Sequence, residues 1–314
     1  MNINKSIINS FVKSTEQAAY GAFLFKGKND KIAADQSAVD FMRRQLNLIP
    51  MKGKIVIGEG ELDEAPMLYI NEEVGTKIGD EFDIAVDPLE GTNFTAKNQP
   101  NALSVLAVAR KGKILQAPDT YMEKIAIGAN LPKNLVDLDF SVEKNIKLLS
   151  DSKSTAPENL TACLLKRPRH NDIIKSLNKM NVKIKYISDG DVTGVLSVAD
   201  TKSKVDIYLG IGGAPEGVLA AAALKCLGCQ MQSRLVINDE NEKSRALNLG
   251  ITNLKRKYYI NDMIADDVIF SATGVTDGDL VKGIKDEEKF FSSETLVMHY
   301  SSKTNEIIKN KIKK

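Results

Sequence analysis

The acidic run Asp87-Pro88-Leu89-Glu90-Gly91-Thr92 has the residue types and spacing best suited to chemistry in this sequence. It follows the apolar segment 82–86, which is typical of a strand, and its two carboxylates are three residues apart. Carboxylate oxygens are the ligands that Mg²⁺ and Mn²⁺ prefer. Pro88 stiffens the turn, Gly91 lets the backbone approach a ligand closely, and the Thr92 hydroxyl could orient a metal-bound water for attack on phosphorus. The run indicates phosphoryl transfer to water, with an ordinary polar turn after a strand as the alternative.

Three more polar clusters follow predicted strands and supply further oxygen ligands. They are Gly58-Glu59-Gly60-Glu61, Asp189-Gly190-Asp191 and Gly210-Ile211-Gly212-Gly213-Ala214-Pro215-Glu216. Ligands of open α/β sheets bind beyond the carboxyl ends of the strands, so these clusters could converge on one crevice. Glu59 and Glu216 could join the carboxylates of the acidic run in a metal site that needs neither Cys nor His. The chain has 2 histidines, which disfavours a histidine-based zinc centre.

Two segments have the character of phosphate-binding elements. The segment 212–217 precedes an Ala-rich stretch, and Pro215 suits the first turn of a helix whose free N–H groups could bind phosphate. An ordinary capped helix start is the alternative. The basic run Lys166-Arg167-Pro168-Arg169-His170 follows a predicted strand, and arginine binds phosphate through two parallel hydrogen bonds. We interpret this run as a second phosphate clamp, with a solvated loop as the alternative, and assign no catalysis to His170 alone.

Composition disfavours several classes of protein. With 43 basic and 41 acidic side chains, the net charge of +2 creates no field that would hold a nucleic-acid backbone. No apolar stretch is long enough to cross a bilayer and the start has no secretion signal, so we expect a cytoplasmic protein without a membrane partner. Three cysteines argue against a disulfide framework, and the isolated pair Cys226 and Cys229 is interpreted as structural.

The elements that must position these residues are predicted to form two lobes. The chain of 314 residues exceeds a usual single domain and its pattern weakens before Pro157, which predicts lobes at 1–157 and 158–314. In the first lobe, an early amphipathic helix carries Lys31 and Asp35 four residues apart, on one face.

The sheets are predicted to be mixed. The segment 103–117 contains two apolar stretches around a charged turn, which predicts an antiparallel hairpin beside the other strands of the first lobe. In the second lobe, strands alternate with helices, and the lobe is predicted to be α/β.

At these residues the sequence resembles the class II fructose-1,6-bisphosphatases of the lithium-sensitive phosphatase superfamily, which also includes inositol monophosphatases. The resemblance extends over nearly the whole chain and implies a layered α/β/α/β/α sandwich. Glu90 stands where the wider superfamily usually has aspartate, which favours the bisphosphatases over the inositol monophosphatases. The motifs that carry the resemblance are the segments 57–68, 83–92, 166–170, 189–191, 212–217 and 272–279.

The resemblance implies a complete set of site residues. It makes Asp35 and Glu59 ligands of one Mn²⁺ or Mg²⁺ ion, and a second ion is implied at Asp87, Glu90 and Glu216. Thr92 is implied to help the attacking water, with Lys31 and Asp63 supporting catalysis. The implied substrate contacts are Glu90, Gly91, Thr92, Tyr121, Arg167, Pro168, Arg169, Asp189, Gly190, Asp191 and Gly213.

The function implied by the resemblance is hydrolysis of D-fructose 1,6-bisphosphate to fructose 6-phosphate and phosphate, a gluconeogenic step, by a homo-oligomer such as a dimer or tetramer. A sedoheptulose 1,7-bisphosphatase or a dual-specificity enzyme is the close alternative. An inositol phosphatase and a non-catalytic sugar-phosphate sensor are the more distant ones.

Overall fold

A computed structural model describes residues 2–58, 68–200 and 202–314 of the chain. Two of the predicted site residues, Glu59 and Asp63, lie outside the described residues. The chain divides into two compact units, of which the first comprises Met1–Gln116 with Ile264–Lys314 and the second comprises Ala117–Met263.

The described residues form both helices and strands. The helices are α1 (Ile8–Phe23), α2 (Lys31–Leu46), α3 (Thr92–Ala96), α4 (Val142–Ser152), α5 (Asn171–Lys179), α6 (Asp191–Leu196), α7 (Ala214–Leu227), α8 (Glu240–Asn248) and α9 (Ile260–Met263). The strands are β1 (Lys52–Ile57), β2 (Glu73–Val74), β3 (Glu81–Glu90), β4 (Leu103–Arg110), β5 (Tyr121–Ile127), β6 (Thr161–Leu165), β7 (Lys183–Ile187), β8 (Ile207–Gly213), β9 (Gln230–Val236), β10 (Tyr258–Tyr259), β11 (Val268–Gly274), β12 (Lys285–Asp286), β13 (Phe290–His299) and β14 (Thr304–Lys313).

The first unit is built on one mixed sheet. Its strand order is β12-β13-β11-β4-β3-β1-β2, with β14 paired to β13. Strands β1 and β3 are parallel, and the other pairs are antiparallel. Helix α1 packs across β3, β4, β11 and β13, and α2 packs against α1 and β3. The apolar faces of these two helices and of the sheet form the core of the unit.

The second unit has its own mixed sheet, with the strand order β10-β9-β5-β8-β6-β7. Strand β6 is parallel to β7 and β8, whereas β5 is antiparallel to β8 and β9. Helix α7 is apolar on nearly all sides because it is packed against α6, α9 and three strands. A separate apolar cluster beneath α4 and α5 completes the core.

The mixed α/β class predicted from the sequence is confirmed, but two details differ. The compact units divide the chain after Gln116 and again before Ile264, and not near Pro157, because the last strands return to the first sheet. The predicted hairpin at 103–117 is wrong: β4 pairs with β3 and β11, and Ile114 instead makes an isolated bridge to Ile264. Local apolar patterns do not specify which strand is the partner.

Among the described residues, no helix combines the length and the apolar character that crossing a membrane requires.

Candidate functional site

The two carboxylates at the end of β3 are brought together by a β-bulge. Asp87 pairs with Val105 and Glu90 with Leu103, so the strand holds one extra residue between them. In a regular strand, residues three apart point to opposite faces, and the extra residue removes that alternation. A carboxylate oxygen of Asp87 lies within 4.8 Å of one of Glu90, although only 5% of Glu90 is exposed. The pair is thus close enough to bind one cation.

The turn after the acidic pair depends on Gly91. Its φ of 81° is left-handed, and it forms the N-cap of the short helix that starts at Thr92. A Cβ at this position would stand 2.7 Å from Cδ2 of Phe94. Only glycine therefore fits here without moving the ring, and the turn starts the helix at Thr92 directly after the acidic pair.

Lys31 and Asp35 lie near the start of helix α2, which is close to helix α3 and strand β3. The α1–α2 connection is tied to the end of α3 by Gly27 N–H donating to the Thr95 carbonyl and Asn29 N–H to the Ala96 carbonyl, both at 2.9 Å. Helix α2 also packs against β3 and α3. Lys31 is exposed and Asp35 is partly buried. The structure therefore places α2 beside the elements that carry Asp87, Glu90 and Thr92.

In the second unit, the predicted basic clamp is ordered by backbone carbonyls. Arg167 donates from Nη2 to the Ser188 carbonyl at 2.7 Å. Arg169 donates from Nε and Nη2 to the Ile211 carbonyl at 3.0 and 2.9 Å. The guanidinium carbon of Arg169 also lies 4.5 Å from the ring centroid of Tyr121, a cation–π contact. Tyr121 and Arg169, which are far apart in the sequence, are thus in direct contact.

Asp191 belongs to a buried cluster that the sequence analysis missed. Its carboxylate accepts hydrogen bonds from Lys124 Nζ and from the Tyr208 hydroxyl, and all three side chains are buried. Burial, followed by the nearby Asp191 charge, raises the pKa of Tyr208 well above its usual value. The signal in the sequence was a lysine in the middle of strand β5, which follows Glu123 and precedes three apolar residues. The neighbouring Asp189 accepts from Gly190 N–H at 3.1 Å, and Gly190 is left-handed with a φ of 77°.

Glu216 lies in the first turn of α7 and has the character of a metal ligand. Its Oε2 is shielded from solvent and accepts no hydrogen bond from the described residues. Burial raises the pKa of the Glu216 carboxyl, and the charge of Lys124 opposes that shift. A Cβ at Gly213 would stand 1.9 Å from Glu216 Oε2, and one at Gly212 would stand 2.0 Å from Asp191 Oδ2. The two glycines therefore make room for the two carboxylates.

The predicted residues thus fall into two groups. Among the described residues, the first unit contains Lys31, Asp35 and the acidic run. The second unit contains the other predicted residues, including Pro168 at the start of a 3₁₀ turn over Pro168–His170. Glu59 and Asp63 lie outside the described residues. The donor set consists of carboxylate oxygens, and one oxygen of Glu216 accepts no hydrogen bond from the part of the chain that the structure describes. These residues fit a hard divalent cation. These acidic groups support the use of a divalent metal.

Comparison with known proteins shows sequence similarity to one family along almost the whole chain. The sequence model of the family described as "Bacterial fructose-1,6-bisphosphatase, glpX-encoded" matches residues 5–312. The chain is 42% identical to "Fructose-1,6-bisphosphatase class 2" of Haemophilus influenzae, over 96% of this chain and 94% of that one. It is 41% identical, with the same coverage, to "Fructose-1,6-bisphosphatase 1 class 2" of Escherichia coli K12.

A further relative and one solved structure widen the comparison. The chain is 41% identical to the "D-fructose 1,6-bisphosphatase class 2/sedoheptulose 1,7-bisphosphatase" of a Synechococcus species, over 93% of this chain and 91% of that one. A weak structural similarity exists to CysQ from Bacteroides thetaiotaomicron, "a bacterial member of the inositol monophosphatase family". It has a TM-score of 0.36 and 17% identity, over 65% of this chain and 79% of that one. The chain therefore belongs to the family of bacterial class 2 fructose-1,6-bisphosphatases and is a phosphatase.

Proposed function

We propose that this phosphatase hydrolyses D-fructose 1,6-bisphosphate at the 1-phosphate and releases fructose 6-phosphate and inorganic phosphate. Family membership supports this reaction, as do the names of the relatives in Haemophilus influenzae and Escherichia coli. The observation that carries the proposal is the bulge in β3, which pairs Asp87 with Glu90 directly before the helix start at Thr92. Paired carboxylates beside a hydroxyl suit phosphoryl transfer to water.

The proposed cofactors are two Mn²⁺ or Mg²⁺ ions in each site. We assign Asp87, Glu90 and Glu216 to one ion, and Asp35 and Glu59 to the other. When bound, such ions supply Lewis-acid polarisation of the phosphate and of the attacking water. The protected Oε2 of Glu216 supports this assignment, because a buried carboxylate oxygen without a hydrogen-bond donor needs a compensating positive charge.

The proposed mechanism is a direct displacement by water, without a covalent phosphoenzyme. Thr92 accepts a hydrogen bond from the water and orients its lone pair toward phosphorus. Lys31 stabilises negative charge on the reacting phosphate, and Asp63 supports the proton transfer. This role is supported by the backbone of Thr92, which begins a helix directly after the left-handed Gly91 turn.

The remaining substrate contacts are proposed to hold the sugar and its distal phosphate. Arg167 and Arg169 bind the distal phosphate, and Tyr121 packs against the sugar. The other proposed substrate contacts are Pro168, residues 189–191, Gly213 and the backbone at Glu90 and Gly91. This arrangement is supported by the hydrogen bonds that already orient both guanidinium groups.

Specificity and context are part of the proposal. Sedoheptulose 1,7-bisphosphate is a second candidate substrate, since the Synechococcus relative is named for both activities. We propose a gluconeogenic role in the cytoplasm and a homo-oligomeric state, a dimer or tetramer. Light scattering of the purified protein tests the last point, and a monomer at assay concentration would contradict it.

The experiment that tests the function is phosphate release from a panel of phosphate esters with Mn²⁺ or Mg²⁺. The panel contains fructose 1,6-bisphosphate, sedoheptulose 1,7-bisphosphate and inositol 1-phosphate. We expect the first to have the highest kcat/KM, and Glu90→Gln and Thr92→Ala each to lower kcat by at least about a hundredfold. The exposed Glu306→Gln is the matched control and should behave as wild type. Binding of sugar bisphosphate without hydrolysis would identify a sensor and sink the proposal.

A further inference from the structure

His170 is the last residue of the basic run 166–170 and is fully buried beside strand β8. Its two ring nitrogens have different hydrogen-bond partners. Nδ1 lies 2.6 Å from the Leu165 carbonyl oxygen, which can only accept, so Nδ1 carries the proton. Nε2 lies 2.8 Å from the backbone nitrogen of Ile211, which can only donate, so Nε2 is unprotonated. The two contacts together specify the neutral ring with hydrogen on Nδ1.

The same residue that donates to His170 also holds Arg169. The Ile211 N–H is bound by the histidine, and the Ile211 carbonyl accepts two hydrogen bonds from the guanidinium of Arg169. That guanidinium in turn lies over the ring of Tyr121 at 4.5 Å. A chain of contacts therefore runs from the end of β6 through His170 and Ile211 to the face of Tyr121.

The pocket around the ring is shaped for an imidazole. A Cβ at Gly210 would stand 3.2 Å from Cε1 and Nε2 of His170, so a side chain there would press on the ring. Burial lowers the pKa of His170, and the charge of Arg169 acts in the same direction, whereas the hydrogen bond to the Leu165 carbonyl and the charge of Asp191 oppose the shift. The neutral form required by the two hydrogen bonds is consequently the stable one at neutral pH.

We propose that His170 is a positioning residue that sets the guanidinium of Arg169 over Tyr121 and thereby places the phosphate distal to the reacting one. The role rests on the proposed function, in which Arg169 binds that phosphate. His170 does not touch the substrate in this account. It acts by keeping the Ile211 carbonyl where it orients the arginine, which lowers the cost of ordering the long side chain on binding.

Steady-state kinetics of three variants test the role. His170→Phe removes both hydrogen bonds and is expected to raise KM for fructose 1,6-bisphosphate about tenfold while kcat stays within about twofold of wild type. His170→Gln can still accept from Ile211 and should give an intermediate KM. The matched control is His299→Gln, which alters the other buried histidine and its contact with Asp267. It should lower thermal stability without changing KM.

A substrate without the distal phosphate separates positioning from general damage. Fructose 1-phosphate does not need the Arg169 contact, so its KM should be the same in wild type and His170→Phe. An equal rise in KM for both substrates, or an unchanged KM for the bisphosphate, would overturn the role of His170. Failure of the wild type to release phosphate from fructose 1,6-bisphosphate would instead contradict the proposed function.

Nitrogen NMR of the wild-type protein gives a readout that does not depend on activity. The chain has only 2 histidines, so ¹⁵N-histidine labelling yields two ring systems, and His170→Gln assigns them. We expect the His170 ring to be neutral at pH 7, with the proton on Nδ1. A proton on Nε2, or a charged ring, would contradict the two hydrogen bonds on which the inference depends.

Discussion

Lys124, Asp191 and Tyr208 show how single residues shape the second unit. Lys124 and Asp191 form an ion pair with side chains only 0% and 8% exposed. A buried pair of this kind adds little net stability, because both charges lose their hydration. Loss of one partner is costly, however, since it leaves the other charge buried without compensation. The cluster therefore constrains which substitutions are tolerated beside Asp189 and Gly190.

We predict that Lys124→Met lowers the free energy of unfolding by about 3–5 kcal/mol, because Asp191 is then buried without a cation. Tyr208→Phe removes one hydrogen bond to a charged group and should cost about 1.5–3 kcal/mol. The double variant Lys124→Met/Asp191→Leu should recover most of the stability lost in Lys124→Met. Urea unfolding measures all three, and a double variant less stable than Lys124→Met would contradict the assignment.

At the scale of elements, the turn from β3 into α3 determines whether Thr92 is in place. We predict that Gly91→Ala costs roughly 1–2 kcal/mol for the left-handed backbone. It should also lower kcat by at least about tenfold, because the new Cβ displaces the Phe94 ring and the helix start.

The control for this prediction is Gly112→Ala. Gly112 has a φ of 74°, close to that of Gly91, but a Cβ there would meet no atom of the described residues within 4 Å. It should show a similar loss of stability in urea with unchanged phosphate release. If both variants kept full activity, the turn would not position Thr92.

Helix α1 carries a polar patch into the core of the first unit. Thr15 Oγ1 lies 2.8 Å from both Ser271 Oγ and Thr273 Oγ1. Glu16 Oε1 accepts from Ser293 and Asn310 at 2.8 Å, but its Oε2 has no hydrogen-bond partner among the described residues. Burial raises the pKa of Glu16, so its ionised form is disfavoured in the folded state.

The raised pKa predicts how stability depends on pH. Between the ordinary and the raised pKa, the folded protein binds more protons than the unfolded chain, so this group lowers stability as pH rises. Glu16→Gln should therefore raise Tm at pH 7 by about 2–4 °C, which corresponds to roughly 1 kcal/mol in a large chain. The gain should shrink as pH falls toward the ordinary pKa of glutamate. Calorimetry from pH 4 to 8 checks this, and an equal gain in the exposed control Glu306→Gln would refute it.

At the scale of the whole molecule, the chain leaves the first unit after Gln116 and returns at Ile264. The proposed metal ions would link folding to cation concentration, since an ion that binds only the folded protein stabilises it by mass action. We predict that Mn²⁺ at a hundred times its dissociation constant adds about 2.7 kcal/mol and that a chelator removes both this gain and phosphate release. Glu216→Gln should reduce the Mn²⁺-dependent rise in Tm. An unchanged rise would remove Glu216 from the ligand set.

The sequence alone determines much of the secondary structure, and it contains the family motifs. Apolar runs such as 82–86, turn glycines such as Gly91 and the Pro215 helix start are local signals, because each depends on the conformational preferences of neighbouring residues. Glu59 is a candidate ligand from its residue type and its place after a strand, whereas the role of Asp63 comes from the resemblance alone. Both roles stay predictions, as do those of the other site residues.

Only the tertiary structure determined which strands pair and which buried side chains contact each other. Several contacts join positions that are distant in the sequence. They are the return of the chain at Ile264, the pairing of β4 with β11, the burial of Lys124 against Asp191 and the hydrogen bond between His170 and Ile211. Such contacts leave no periodic trace, since one buried lysine or histidine looks the same in sequence whether its partner is water or a carboxylate. The bulge that pairs Asp87 with Glu90 is of the same kind, because it exists only in relation to β4.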